Sequence, residues 1–207
     1  MKFGDDVLQQ WIDKLPEPRV HKKLQNARTS EDTLTELAVG YLFAEVFGYE
    51  VVYEEEFNGR TPDWHVHSGG GMLSFYIEVL TRNPSDETAQ FLGEALRRRI
   101  PSPAYWVKPD LGKKIVEKMN KYRSIVGSGV PFIVGVAASF FSGVDKDDLI
   151  KTCLSSDREE LFVKRPGLSG VIWIEKIEKA RCWELTPLYN PHATNPLPNN
   201  AIGLEND

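Results

Sequence analysis

Cysteine is scarce in this sequence, which contains only two in 207 residues. Cys153 and Cys182 lie far apart and lack the paired spacing of a structural zinc site. A small secreted domain held together by disulfides normally has more cysteines than this. We therefore expect two reduced thiols in a cytosolic protein.

Long apolar runs and targeting segments are also lacking. The opening segment, MKFGDDVLQQW, has no cationic region followed by an apolar stretch, so we expect no secretory signal. The longest apolar stretch, Val130 to Phe141, is too short to span a bilayer and is better interpreted as a buried strand. The expected location is cytoplasmic, with no membrane partner.

Internal repeats and low-complexity segments are absent, and 41% of the residues are hydrophobic. A chain of this length predicts one domain over residues 1–207, with a core at about 30–140 and a C-terminal hairpin and irregular tail at about 168–207. The proline-rich tail either straps the sheet or meets a second subunit, which leaves a homodimer open.

The net charge of −5 argues against a protein that coats nucleic acid indiscriminately. The charge is nevertheless segregated, because the segment from Arg97 to Arg123 has nine basic and two acidic residues. That segment carries +7 and the rest of the chain −12. Such a distribution is typical of a phosphate-facing surface beside an acidic cleft, although a basic helix is more often a solvated face.

Hydrophobic periodicity predicts an α/β fold with a mixed sheet flanked by helices. A short N-terminal helix ends at PEPR, and a buried helix follows at Leu34 to Phe47. A three-strand meander comes next, then two helices, a further strand, a short helix and a C-terminal hairpin. The strands of the meander are predicted at 49–57, 62–68 and 72–80, the two helices at 86–100 and 113–126, the further strand at 130–141, the short helix at 145–154, and the hairpin at 169–177 and 181–189.

Two carboxylates are predicted to share one face of the meander. In PDWHVH, alternation places Asp63 with His65 and His67, and in FYIEVL it places Glu78 with Tyr76 and Leu80. If these strands pair, Asp63 and Glu78 lie side by side, repel each other and lose solvation. A divalent cation relieves that conflict, and Mg²⁺ (or Mn²⁺) suits a site with few carboxylates because it keeps waters for a phosphate.

These residues resemble the PD-(D/E)XK nuclease superfamily. The likeness covers Thr33 to Ala138 and rests on Glu36 in a buried helix, Pro62–Asp63, Glu78 in YIEVL, and a lysine-rich helix before the strand PFIVGV. It implies a restriction-endonuclease-like fold and a metal-dependent endonuclease acting on DNA. The implied metal ligands are Asp63, Glu78, the carbonyl of Val79, and Glu36.

The sequence departs from the family at Leu80, where the pattern has a lysine that positions the attacking water. The family tolerates a lysine that reaches this point from another element. Lys114 and Lys118, one helical turn apart, are the candidate catalytic lysines, and Arg82 is another cationic candidate. The expected nucleic-acid contacts are Arg97, Arg98, Lys113, Lys114, Lys118 and Lys121.

Each of these residues also has an ordinary structural interpretation. Asp63 can shape a turn, Glu78 can pair with the basic helix, and Glu36 can form a capping box with Thr33. Glu45, on the opposite helical face, competes with Glu36. His65 and His67 are either additional ligands, a general base or polar surface.

Three functions therefore stay open after the sequence analysis. The first is a Mg²⁺-dependent nuclease. The second is a catalytically degenerate member of the same fold that binds nucleic acid or protein. The third is an adaptor or immunity-type factor whose acids are purely structural.

Overall fold

The computed structural model describes residues 1–16, 18–26, 30–69, 71, 73–82, 111–138, 144–154, 160–198 and 201–202. The strands within these residues form one seven-stranded sheet. They are β1 (Lys2–Gly4), β2 (Glu50–Tyr53), β3 (Trp64–His67), β4 (Ser74–Arg82), β5 (Phe132–Ala138), β6 (Gly170–Ile177) and β7 (Cys182–Tyr189).

The described helices cover both faces of this sheet. They are α1 (Asp5–Ile12), α2 (Pro18–Gln25), α3 (Ser30–Tyr41), α4 (Leu111–Lys121), α5 (Arg123–Val126), α6 (Lys146–Leu154) and α7 (Leu161–Lys164). A π-helical turn, Leu42–Val46, extends α3, and a 3₁₀ turn, Glu178–Ala180, joins β6 to β7. The predicted helix at 86–100 lies outside the described residues.

The strand order in the sheet is β1-β7-β6-β5-β4-β3-β2. β2, β3 and β4 form an antiparallel meander, and β5 and β6 continue the sheet in parallel with β4. β7 pairs antiparallel with β6, and β1 adds an edge strand beside it. The mixed α/β class, the meander and the terminal hairpin predicted from the sequence are confirmed.

Alternation along β4 divides the core into two layers, as predicted. Phe75, Ile77 and Val79 are buried on the face that α1 and α3 cover. Tyr76 and Leu80 are buried on the other face, with the apolar stripe of α4. The side chain of Glu78 therefore emerges on the α4 face.

Helix α3 packs directly against β3 because Gly40 has no side chain. A Cβ at Gly40 would lie 2.2 Å from the ring of Trp64, which is itself buried. The Trp64 indole Nε1–H donates a 2.7 Å hydrogen bond to the carbonyl of Glu36. This close approach fixes the start of β3, and with it Asp63, beside the helical turn that carries Glu36.

One strand, β1, and two helices, α2 and α7, were missed by the sequence analysis. Strand β1 has three residues, too few for a period-2 pattern, and its position depends on pairing with β7. Helix α2 starts at Pro18, a residue that suits the first turn of a helix but was interpreted only as a stop. The segments at both ends also join the core, since Phe3 and Ile12 are buried with Ile202 of the tail.

Cys153 and Cys182 are both free thiols.

Across the described residues, we find no helix with the length and apolarity needed to cross a bilayer.

Candidate active site

Asp63, the residue before β3, lies close to Glu78 of β4. The register aligns Trp64 with Ile77 and His65 with Tyr76, so one further step aligns Asp63 with Glu78. Directly opposed residues of antiparallel strands have Cβ atoms about 4.5–5.5 Å apart. The Asp63 carboxylate also accepts a 2.6 Å hydrogen bond from the backbone N–H of Val79. The predicted proximity of the two acids is therefore present in the structure.

Glu78 is a buried carboxylate, with 1% of the residue exposed. Its Oε1 accepts hydrogen bonds from the ammonium groups of Lys118, at 2.6 Å, and Lys121, at 3.3 Å. Its Oε2 is buried without a hydrogen-bond partner among the residues that the structure describes. A buried oxygen left in this state is costly, and it is a position where a cation or a water would be stabilised.

Lys118, and not residue 80, brings an ammonium group to Glu78. Leu80 is 8% exposed and packs into the apolar layer under α4, where a charged side chain would be costly. The Lys118 ammonium reaches the same end of β4 and also donates to the carbonyl of Val79, at 3.2 Å. It thus contacts both β4 groups predicted to be metal ligands.

Glu36 approaches from α3, on the other face of the sheet. Its Oε2 accepts a 2.5 Å hydrogen bond from the Tyr53 hydroxyl and lies 3.8 Å from the ammonium of Lys23. Glu45, the competing acid on the same helical segment, is exposed. The structure therefore directs Glu36, rather than Glu45, toward β2 and β3.

Glu36, Asp63 and Glu78, which we call the carboxylate cluster, influence one another electrostatically. Burial raises the pKa of Asp63 well above its ordinary range, and the charges of Glu78 and Glu36 raise it further. The pKa of Glu36 is also raised, first by burial and then by Glu54 and Glu78, although Tyr53 and Lys23 oppose the shift. Crowded acids of this kind are typical of functional sites.

The carboxylate cluster fits a hard divalent cation in its donor chemistry. Three carboxylates and one carbonyl form an all-oxygen set, which Mg²⁺ and Mn²⁺ prefer, and Glu78 Oε2 is a buried acceptor for which the described residues provide no hydrogen-bond donor. The oxygens of the three acids do not all lie within 4.8 Å of one another. Binding an ion would therefore require the side chains to close around it.

The other predicted cationic residues differ in their surroundings. Lys114 is half-exposed and its ammonium contacts Glu117, at 2.6 Å, rather than Glu78. Lys113 is exposed on α4, and Lys121 is half-exposed with its ammonium over the Tyr122 ring. The side chain of Arg82 and the residues Arg97 and Arg98 lie outside the described part of the chain.

Several residues beside the carboxylate cluster were missed by the sequence analysis. Lys23, on α2, donates to Tyr53 at 2.9 Å and to Glu54 at 2.6 Å. The buried Tyr122 hydroxyl donates to the carbonyl of Thr61, just before Asp63. Recognising Pro18 as a helix start would have placed Lys23 on a helix, but nothing local in the sequence indicates which strand α2 meets.

Comparison with known proteins adds no relative: no family model, no curated protein and no solved structure matches this chain.

Proposed function

We propose that this protein is a Mg²⁺-dependent phosphodiesterase that cleaves DNA and has a restriction-endonuclease-like fold. The observation that carries the proposal is the carboxylate cluster with Lys118 beside it and a buried Glu78 oxygen that has no hydrogen-bond partner within the described part of the chain. The strand order β2-β3-β4 followed by a parallel β5 agrees with the fold that the sequence resemblance implies.

Asp63 and Glu78 would hold the ion, with the carbonyl of Val79 and with Glu36 directly or through a water. A divalent ion in such a site supplies positive charge that polarises a phosphoryl oxygen and lowers the pKa of a bound water. Lys118 would stabilise the charge that develops on the phosphate. Tyr53 and Lys23 orient Glu36, and the Val79 amide orients Asp63.

Cleavage of supercoiled plasmid DNA tests the proposal directly. Wild-type protein should nick or linearise the plasmid in Mg²⁺ or Mn²⁺ and not in EDTA, whereas Asp63→Asn should be inactive. Asp147→Asn, an equally conservative change of an exposed acid on α6, is the matched control and should retain the wild-type rate. No wild-type cleavage with either ion, or undiminished cleavage by Asp63→Asn, would contradict the proposal.

A second function is favoured by the ion pairs of Glu78. Lys118 and Lys121 together neutralise this carboxylate, and Leu80 is part of the core, so the fold could persist without an ion. In that case the protein would be a nucleic-acid-binding module without catalytic activity. Binding without cleavage distinguishes this function from the first.

DNA binding should weaken steeply with salt if α4 faces the phosphates. Each phosphate contact contributes a slope of about −0.9 to log K against log salt. Replacing both Lys113 and Lys114 with glutamine should therefore reduce the slope by about 1.8. Fluorescence anisotropy at several salt concentrations measures this change.

The matched control is Lys14→Gln with Lys179→Gln, because both of these lysines are exposed and neither lies on α4. This double variant should keep the wild-type slope. An equal loss of slope in both double variants would show that net charge, rather than the α4 surface, determines binding.

A further inference from the structure

Glu55, His65 and His67 form a second group of ligating side chains, which we call the His/Glu cluster. Each offers one ligand atom, and the three atoms lie within 4.8 Å of one another. The histidines are two residues apart on β3, so they share a face, and their ring centroids are 3.7 Å apart. Glu55 follows β2, the strand that pairs with β3.

The imidazole of His65 is held in a fixed orientation. It is mostly buried and stacks on Tyr76, with the ring centroids 4.1 Å apart. Its Nε2 is 2.7 Å from the Ser74 hydroxyl oxygen, and its Nδ1 contacts Glu55 Oε2. When Nε2–H donates to Ser74, the lone pair on Nδ1 faces the carboxylate. Metal-binding histidines commonly have this arrangement, with the second nitrogen anchored by a hydrogen bond.

The donor set of the His/Glu cluster differs from that of the carboxylate cluster. Two imidazoles and one carboxylate suit a transition-metal ion such as Zn²⁺, whereas Mg²⁺ prefers oxygen ligands alone. Three protein ligands around Zn²⁺ leave a fourth tetrahedral position for water. Ligand atoms at ordinary zinc bond lengths lie about 3.4 Å apart, so Glu55 Oε2 and His65 Nδ1, which are in direct contact, must separate to admit the ion. Glu55, whose side chain is 42% exposed, has room to move.

We propose that Glu55, His65 and His67 bind one divalent transition-metal ion, with Zn²⁺ as the best-fitting ion and water as the fourth ligand. This site is additional to the proposed Mg²⁺ site and does not depend on nuclease activity. It lies on the same face of β3 as Asp63, two residues along the strand. A metal bound there would join the end of β2 to β3 at the edge of the sheet.

Zinc titration of the metal-free chain of 207 residues, with Co²⁺ as a spectroscopic probe, tests the proposal. We expect one Zn²⁺ per chain and a visible Co²⁺ absorption stronger than that of the aqueous ion. His67→Gln and Glu55→Gln should each weaken Zn²⁺ binding by at least about 100-fold. Loss of a residue that only supports a ligand costs up to about 100-fold in metal affinity, and loss of a direct ligand should cost at least as much. Neither change removes a fully buried side chain, and melting in EDTA verifies that each variant folds.

Two controls separate this site from other sources of binding. His192→Gln removes an exposed histidine outside the cluster, and Asp63→Asn disables the carboxylate cluster. Both should bind Zn²⁺ with an affinity within about threefold of wild type, which is a small difference in binding free energy. The proposal is overturned if wild type gives no Co²⁺ band, or if Glu55→Gln and His67→Gln bind as wild type does. Loss of binding in Asp63→Asn alone would likewise overturn it, by assigning the zinc to the carboxylate cluster.

Discussion

Lys118→Met should lower the rate of DNA cleavage by about 10²–10³-fold, the usual cost of removing one group that stabilises charge in the transition state. Methionine keeps most of the length of the side chain but removes the ammonium that contacts Glu78 and Val79. The Mg²⁺-induced rise in melting temperature should remain, because Asp63, Glu78 and Glu36 are unchanged. Single-turnover cleavage of a labelled duplex measures the chemical step.

Lys114→Met is the matched control for this prediction. Lys114 lies one turn before Lys118 on the same helix, but its ammonium pairs with Glu117. With protein in saturating excess over the DNA, so that weaker binding does not limit the rate, its replacement should leave the single-turnover rate within about threefold of wild type, because its ammonium contacts Glu117 rather than Glu78. If Lys114→Met lost the activity and Lys118→Met kept it, our assignment of the catalytic lysine would be wrong.

Asp63→Asn should stabilise the metal-free protein at neutral pH, although the same change should abolish DNA cleavage in Mg²⁺. The Asp63 carboxylate is destabilised in the fold by burial and by the charges of Glu78 and Glu36. Asparagine keeps an oxygen that can accept the hydrogen bond from the Val79 amide. We expect the free energy of unfolding to rise by about 0.5–2 kcal/mol, the range of single stabilising substitutions.

The pH dependence of this gain follows from the direction of the pKa shift. The pKa of Asp63 is raised in the fold above its ordinary value of 3.8. At pH values between 3.8 and the higher pKa of the folded state, the folded state binds more protons than the unfolded state. The contribution of Asp63 to the free energy of unfolding of the wild type therefore falls as the pH rises through this range. The advantage of Asp63→Asn should be greatest at neutral pH and should vanish below about pH 4.

Urea unfolding in EDTA from acidic to neutral pH measures the effect, with Glu56→Gln, which neutralises an exposed acid, as the control. That variant should follow the wild-type pH profile closely. A loss of stability in Asp63→Asn at neutral pH would mean that the Asp63 carboxylate is needed to shape the chain before β3.

The position of the paired acids could be predicted from the sequence because strand alternation is a local property. Alternation placed Glu78 on one face of β4 and Ile77 and Val79 on the other, and the short connection from β3 to β4 set the pairing. The choice between Lys114 and Lys118 was not predictable. Both lie on the same helical stripe, and only the docking of α4 on β4 determines which ammonium reaches Glu78.

The contribution of Glu55 to the His/Glu cluster was not predictable either. Glu54 has a positive φ of 49°, a conformation that non-glycine residues seldom adopt, and it interrupts the alternation at the end of β2. The Glu54 side chain consequently pairs with Lys23, and the Glu55 side chain reaches His65. A pattern of alternating residues contains no signal for such a change of direction.

Thermal melting with and without Mg²⁺ tests most directly whether the carboxylate cluster binds a divalent cation. An ion that binds only the folded state stabilises it by about 2.7 kcal/mol at a hundredfold excess over Kd, which raises the Tm of a protein this size by about 5–10 °C. We predict such a rise for wild type at saturating Mg²⁺ and none for Asp63→Asn. An unchanged wild-type Tm, or an equal rise in Asp63→Asn, would contradict the metal site.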